Sequence, residues 1–272
     1  MAETILMDVP IHYQWLDGSA GRPAVVLLHG LGSCGDDWVL QLPALTAEYQ
    51  VLTMDLPCHA RSGCPSGWPS IEWMGQVVVG LMDALGVPTA HVVGLSLGGT
   101  VGLSMAVRSP DRLRSLTAVN TFARLRLYSG GRWRIGLRAL DLLTGRLEQM
   151  GHLVAEGLFP GEDQEALRQV AAARLAANPR GAYIKMIIAL LRFDLVRHLT
   201  ELAVPTLVVA GGADTTVALA AKEQLRDQIP GARWALFPDS GHATPMDTPD
   251  AFNATLLGFL AEADGVLGPT DL

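Results

Sequence analysis

Six short runs rich in branched apolar residues recur along the chain with helical stretches between them, and this alternation constrains the fold more than any other feature. The runs are Val25-Val26-Leu27-Leu28, Val51-Leu52-Thr53-Met54, His91-Val92-Val93, Leu116-Thr117-Ala118-Val119, Thr206-Leu207-Val208-Val209 and Trp234-Ala235-Leu236-Phe237. Such a pattern predicts an α/β protein with a mostly parallel sheet and helices on both faces. Two earlier runs, Thr4 to Val9 and His12 to Leu16, surround Pro10 and predict an antiparallel edge.

The rhythm breaks once, between Thr121 and Thr200, where helical periodicity continues without a convincing strand. Leu137, Leu140, Leu143 and Leu147 follow helix spacing, as do Leu167, Val170, Ala171 and Arg174, with Pro160-Gly161 and Asn178-Pro179 as breaks. The expected organisation is therefore a core of residues 1–120 and 201–272 with a helical cap at 121–200. This insertion carries 12 Lys/Arg against 7 Asp/Glu, a net +5, and leaves −12 for the rest of the −7 chain. Residues 265–272 read as a frayed tail.

With 272 residues, 49% of them hydrophobic, the chain can bury a sizeable core. A net charge of −7 and 6% aromatics carry no signature of a nucleic-acid binder. The longest purely apolar runs, such as Met186 to Leu191, are too short to span a bilayer. The N-terminus lacks the basic start and long apolar stretch of a secretion signal. The three cysteines, Cys34, Cys58 and Cys64, are odd in number and form no CxxC pair, which points to a reducing compartment and a cytoplasmic location.

Chemistry enters at Gly94-Leu95-Ser96-Leu97-Gly98-Gly99, between the strand at His91 to Val93 and a helix from about Thr100 to Ser109. A turn from strand straight into helix is very tight. Glycines two before and two after the serine remove side chains that would collide, so Ser96 can take a strained conformation that presents its hydroxyl above the sheet. The helix N-terminus behind it supplies free amides and a favourable dipole for an oxyanion. Ser96 is the expected nucleophile.

A serine hydroxyl needs a base and an orienting carboxylate, in the order Ser, acid, His for this kind of elbow. His29, His59, His152, His198 and His242 fall in loops or in the insertion, but only His242 follows the last expected strand, in Asp239-Ser240-Gly241-His242 before a final helix at Pro249 to Ala261. Asp214, in Gly211-Gly212-Ala213-Asp214 directly after the strand at Pro205 to Ala210, is the expected acid. Asp239 is a rival three residues from His242, and the acid position after the preceding strand holds Asn120. The backbone amides of Leu97 and of Leu31, in His29-Gly30-Leu31-Gly32, are the expected oxyanion donors, with His29 itself structural.

With these residues in place, the chain resembles the α/β-hydrolase superfamily over nearly its whole length, from the His-Gly loop through Asp55-Leu56-Pro57-Cys58-His59-Ala60-Arg61-Ser62 to Ser96, Asp214 and His242. Within it, the Ser96 motif is similar to those of enol-lactonases, carboxylesterases and non-haem haloperoxidases. The resemblance implies an α/β-hydrolase fold and hydrolysis of a small carboxylic ester or lactone through an acyl-enzyme. C–C bond hydrolysis or lyase chemistry on a diketone-like metabolite is a second reading, and a non-catalytic ligand-binding relative a third. Cys58 and Ala60 stand where glycines are common in such chains and are expected to reshape the adjacent loop.

Two other signals compete. Gly30-Leu31-Gly32-Ser33-Cys34-Gly35 matches G-x-G-x-x-G after a strand, with Asp55 twenty residues beyond Gly35. Asp36 and Asp37 would bring negative charge to that phosphate loop, so NAD is not expected. No spacing suggests a metal site, and no cofactor is expected.

The expected partner is a small-molecule substrate. The excess of arginine in the insertion, represented by Arg124 and Arg126, marks either an anionic substrate or a solvated helical face. Leu125, Leu127, Trp133, Phe159, Met186 and Ile187 form either pocket walls or the insertion's own core. Trp38, after the oxyanion loop, either borders the pocket or anchors its helix.

Overall fold

The computed structural model describes residues 2–18, 21–125, 141 and 144–266. Its centre is an eight-stranded sheet in the order β1-β2-β4-β3-β5-β6-β7-β8. The strands are β1 (Ala2–Leu6), β2 (Val9–Leu16), β3 (Ala24–Leu28), β4 (Gln50–Met54), β5 (Ala90–Leu95), β6 (Leu113–Val119), β7 (Thr206–Gly211) and β8 (Arg233–Phe237). Each of the six apolar runs became one of the parallel strands β3 to β8. In β3 the reason is visible residue by residue. Val26 and Leu28 enter the core on one face of the sheet and Val25 and Leu27 the core on the other, so no position is left for a polar side chain.

The antiparallel edge forms, but its turn is not at Pro10. Met7 and Asp8, at φ 49° and 64°, make the turn between β1 and β2, and Pro10 lies inside β2 opposite Ile5. Pro10 is tolerated because β4 pairs with β2 only from Tyr13 onward, so no ladder partner loses an N–H there.

Helices α1 (Leu42–Thr46), α2 (Ile71–Ala84) and α3 (Leu97–Arg108) follow the early strands. Between β6 and β7 come α4 (Leu147–Leu158), α5 (Glu165–Ala177) and α6 (Arg180–Arg192); α7 (Leu219–Gln228), α8 (Thr244–Asp247) and α9 (Pro249–Ala263) complete the chain. The interval from β6 to β7 contains no strand among the described residues, as its periodicity predicted, beyond an isolated bridge between Arg124 and Asp194. Met150, Val154, Leu175 and Tyr183 form a small core of their own there. Leu137, Leu140 and Leu143, from the first expected helix of the insertion, lie outside the described residues.

The cysteine reading is corrected. Cys58 and Cys64 are joined by a disulfide, and the buried Cys34 is free. After β4 the chain doubles back, with the Cys58 N–H donating to Gly63 O at 2.8 Å, and this brings the two Cα atoms to 4.2 Å. The spacing alone gave no sign of that reversal. Cys58 and Ala60, at φ 67° and 44°, hold the left-handed backbone that a glycine adopts without cost.

Candidate active site

Ser96 stands between the last residue of β5 and the first of α3, at φ 53° and ψ −110°. That conformation is strained for any residue with a Cβ, by on the order of 1–3 kcal/mol, and survives because the surroundings over-determine it. Its N–H donates to Val119 O at 2.9 Å, and Thr121 Oγ1 donates to its carbonyl at 2.7 Å. A Cβ on Gly94 would lie 2.3 Å from Gly98 O, and one on Gly98 would lie 2.1 Å from Leu28 O. The glycine bracket is thus a packing requirement of the elbow.

The loop after β3 carries the other expected oxyanion donor. It turns through a Ser33 N–H to Gly30 O bond of 3.2 Å, and neither the Leu31 nor the Leu97 amide donates to a backbone carbonyl among the described residues. His29 is occupied beneath this loop: Nε2 accepts the Leu56 N–H at 2.9 Å and Nδ1 donates to Gly30 O at 2.8 Å. Burial, reinforced by nearby His59, pushes its pKa down to about 3, so it is a neutral structural imidazole.

Asp55 is equally occupied, accepting from Gly35 N–H at 2.9 Å and from Arg61 Nε at 2.6 Å. The glycine-rich stretch before it runs into a single 3-10 turn, Gly35–Trp38, rather than a phosphate-binding helix. The dinucleotide-like spacing therefore belongs to a structural loop.

The loops after β7 and β8 bring the expected acid and base together. His242 Nδ1 lies 2.9 Å from Asp214 Oδ2. Asp214 Oδ1 accepts the Thr216 and Val217 N–H groups at 2.7 and 3.0 Å, the usual consequence of an aspartate opening a turn. Burial acts to raise the carboxyl pKa, but the neighbouring His242 and Lys222 outweigh it and hold it at about 2. The rival Asp239 is exposed on its loop, and Asp247 braces that loop instead, accepting from Ser240 Oγ at 2.8 Å and Gly241 N–H at 2.7 Å.

Two side chains absent from the sequence reading as participants complete this corner. Asn120, at φ 44°, donates from Nδ2 to His242 O at 2.8 Å and to Thr244 Oγ1 at 2.8 Å, and accepts the Gly211 N–H at 2.7 Å. Lys222 on α7 is fully buried and reaches Asp214 Oδ2 at 2.9 Å. The available signal was a lysine three residues before Leu225 on the helix face that became buried.

Ser96, Asp214 and His242 line one cavity of about 640 Å³. Its walls are mostly apolar, with Met150, Val154, Leu175, Ile187 and Leu190 from α4 to α6 facing Leu31 and Phe122 from the loops beside the sheet. Ser96 and His242 share this wall without a direct hydrogen bond; such bonds are often long without substrate and tighten in the reacting complex. The Leu158 carbonyl accepts the His242 N–H at 3.2 Å, which seats the end of α4 on the His242 loop.

The expected substrate contacts fare differently. Trp38 is 2% exposed in the core beneath the sheet with Phe252 and Phe259, and does not line the cavity. Its ring packs in that core and anchors the turn Gly35–Trp38 to it. Arg124 also lies away from the cavity, pairing with Asp194 on the surface near Glu223 and Asp227. Arg126, Leu127 and Trp133 fall outside the described residues. Leu125, Phe159 and Ile187 do line the cavity, whereas Met186 is in the main core. Among the described residues, the arginine that reaches the cavity is Arg174 on α5, and it is paired with Asp37. Among the described residues no group of three or more His, Cys, Asp or Glu side chains is placed to hold a metal ion, and no helix is long and apolar enough to cross a membrane.

A mostly parallel sheet with helices on both faces, a strained serine elbow and an Asp–His pair on one cavity define a hydrolase of the α/β class. The chain belongs to the alpha/beta hydrolase fold family, whose model matches residues 23–249. It is similar to a putative carbamate hydrolase RutD of Stutzerimonas stutzeri, 34% identical over 251 residues that cover 89% of this chain and 93% of the relative. Among solved structures, a hydrolase from Pseudomonas aeruginosa PA01 superimposes with a TM-score of 0.85 at 31% identity, covering 95% of this chain and 97% of the other. The enol-lactonase from Burkholderia xenovorans LB400 superimposes with a TM-score of 0.88 at 28% identity, covering 96% and 100%.

Proposed function

We propose that this enzyme is a serine hydrolase that cleaves a small carboxylic ester or lactone, with residues 121–200 acting as a cap over the nucleophile. The observation that carries the reading is the His242–Asp214 hydrogen bond of 2.9 Å on the wall of the cavity that Ser96 also lines. In this mechanism His242 takes the Ser96 proton as Oγ attacks the carbonyl carbon. The resulting oxyanion accepts from the Leu31 and Leu97 amides, and the alkoxide leaves with the proton from His242. Water, deprotonated by the same imidazole, attacks the acyl-enzyme and releases the acid. Asp214, ionised throughout the working range, orients the imidazole and stabilises its charged form.

The apolar walls and the pairing of Arg174 with Asp37 favour an uncharged acyl group over an anionic one. The 34% identity to a putative carbamate hydrolase favours carbamates as a second substrate class, since the same serine attacks a carbamate carbonyl in the same way. Intact-mass analysis after a fluorophosphonate probe tests the reading: the native protein should gain one adduct and Ser96→Ala none. Labelling of the variant, or none of the native chain, overturns it. Nitrophenyl esters, lactones and carbamates of matched size then separate the substrate classes.

A further inference from the structure

Lys185 and Lys222 are the two lysines of a chain otherwise furnished with arginine. Lys222 is 0% exposed. A buried ammonium is costly unless every proton is matched, and here each is: Nζ donates to Asp214 Oδ2 at 2.9 Å, to Gly211 O at 3.0 Å and to Asn120 Oδ1 at 3.1 Å. Asp214 Oδ2 is the same oxygen that accepts from His242 Nδ1, while Oδ1 holds two backbone amides. The carboxylate therefore has four donors around it and no freedom to rotate.

We infer that Lys222 is a positioning residue for the triad, fixing the acid directly and the base loop through Asn120. The bonds close a ring: Lys222 to Asp214, Asp214 to His242, the His242 carbonyl to Asn120 Nδ2, and Asn120 Oδ1 back to Lys222. Three strand ends are tied by it, those of β6, β7 and β8, and the tie comes from α7. The inference rests on the Ser96 reading of the preceding subsection.

Lys222 also sets the charge felt by the base. The titratable groups facing it are Asp214, from the loop after β7, and His242, from the loop after β8; β6 contributes the neutral Asn120 and β7 the Gly211 carbonyl. The carboxylate of Asp247 is turned to Ser240 and Gly241 in the base loop. With Lys222 in place the acid and the lysine are neutral as a pair. Removing the lysine leaves an uncompensated carboxylate against the imidazole, which favours the protonated, catalytically idle form. Burial lowers the Lys222 pKa and Asp214 counters it, so the ammonium depends on the carboxylate as much as the reverse.

The test is the pH profile of kcat/KM for Lys222→Met and Lys222→Gln against native enzyme, each first checked for native circular dichroism. Lys222→Met should move the acidic limb up by about one pH unit and lower plateau kcat about tenfold with KM unchanged, because a positive charge and an orienting donor are both lost. Lys222→Gln keeps a donor without the charge and should show the same limb shift with a smaller loss of kcat. Folded variants whose limb and kcat both match native enzyme overturn the inference. If neither variant folds, the native enzyme labelled with 15N-lysine decides: an exchange-protected ammonium resonance in addition to that of Lys185 supports it, and its absence overturns it. Fluorophosphonate labelling of the same native sample separates the two claims, since loss of Ser96 reactivity sinks the serine reading and leaves the Lys222 geometry untouched.

Discussion

Asn178 Nδ2, at the end of α5, donates to the carbonyl of Gly32 in the loop after β3 at 2.8 Å. The same nitrogen reaches Arg174 O at 2.8 Å, and Arg174 itself pairs with Asp37 just beyond that loop. The inserted helices thus grip the turn that carries the Leu31 amide. Gly32 is at φ 77° and a Cβ there would lie 2.4 Å from Leu175 Cδ2, so the grip is also steric.

Loosening this grip should cost rate. Asn178→Ala leaves the loop's own hydrogen bonds intact, so kcat should fall about tenfold, less than the hundredfold or more expected from deleting an oxyanion donor outright. Fluorophosphonate labelling of Ser96 should slow by a similar factor. A folded Asn178→Ala enzyme with native kcat would show that the loop holds its place unaided.

The elbow glycines differ from exposed ones by what surrounds them. Gly98→Ala would drive a methyl to 2.1 Å from the rigid Leu28 carbonyl, whereas a Cβ on Gly67 meets nothing within 4 Å. Gly98→Ala should therefore destabilise by about 3 kcal/mol or fail to fold, while Gly67→Ala stays within about 0.5 kcal/mol of native. Urea midpoints for the two, set beside the native value, decide it; equal midpoints would refute the packing account of the motif.

Ala60 holds φ 44° on an exposed loop. Left-handed backbone costs a residue with a Cβ roughly 1–2 kcal/mol, and a glycine adds roughly 0.4–1 kcal/mol of unfolded-state entropy. The strain is the larger, so Ala60→Gly should stabilise by about 0.5–1 kcal/mol, read as a higher thermal midpoint. A lower midpoint would mean that the loop is not held left-handed in solution.

Three buried histidines make the fold acid-sensitive. Burial is the largest cause lowering His29 to about 3 and His59 and His91 to about 4, from an ordinary 6.5. All three are depressed, so the unfolded chain binds the extra protons first: stability is complete above pH 6.5 and falls as pH drops through 4. By about pH 4.5 the loss should be on the order of 2 kcal/mol per histidine. Asp214, depressed to about 2 from 3.8, adds a second loss between those values. Denaturant midpoints measured from pH 8 downward should fall before any carboxylate titrates; a flat profile to pH 4.5 would contradict the buried neutral assignment. His91→Gln isolates one contribution, since that ring sits between Ser115 Oγ at 2.8 Å and Asp264 Oδ1 at 3.2 Å.

Much of this molecule could be read from local pattern. The inner parallel strands were legible because strands buried on both faces must be largely apolar, as β3 shows residue by residue, while the edge strand β8 kept the same apolar run with Leu236 exposed. Ser96 was legible because a tight strand-to-helix turn leaves no room for side chains at Gly94 and Gly98, a constraint that acts within five residues. The meeting of Asp214 and His242 was legible because parallel strands bring their carboxyl ends to one edge of the sheet. Which way Arg124 faces was left open for the opposite reason. A charge count identifies the side chains available in a segment, but which of them faces the cavity depends on partners such as Asp194 and Asp37 that come from elsewhere in the chain.

Local pattern sufficed for the parallel strands and the serine elbow, and the order of the strands for the meeting of Asp214 and His242 at one sheet edge. The burial of Trp38, the joining of Cys58 to Cys64, the grip of Asn178 on Gly32 and the seat of Lys222 behind Asp214 emerged only in the folded chain. The difference lies in the range of the interactions. Steric and periodic constraints act along the backbone, whereas hydrogen bonds, ion pairs and burial depend on neighbours that only folding brings together.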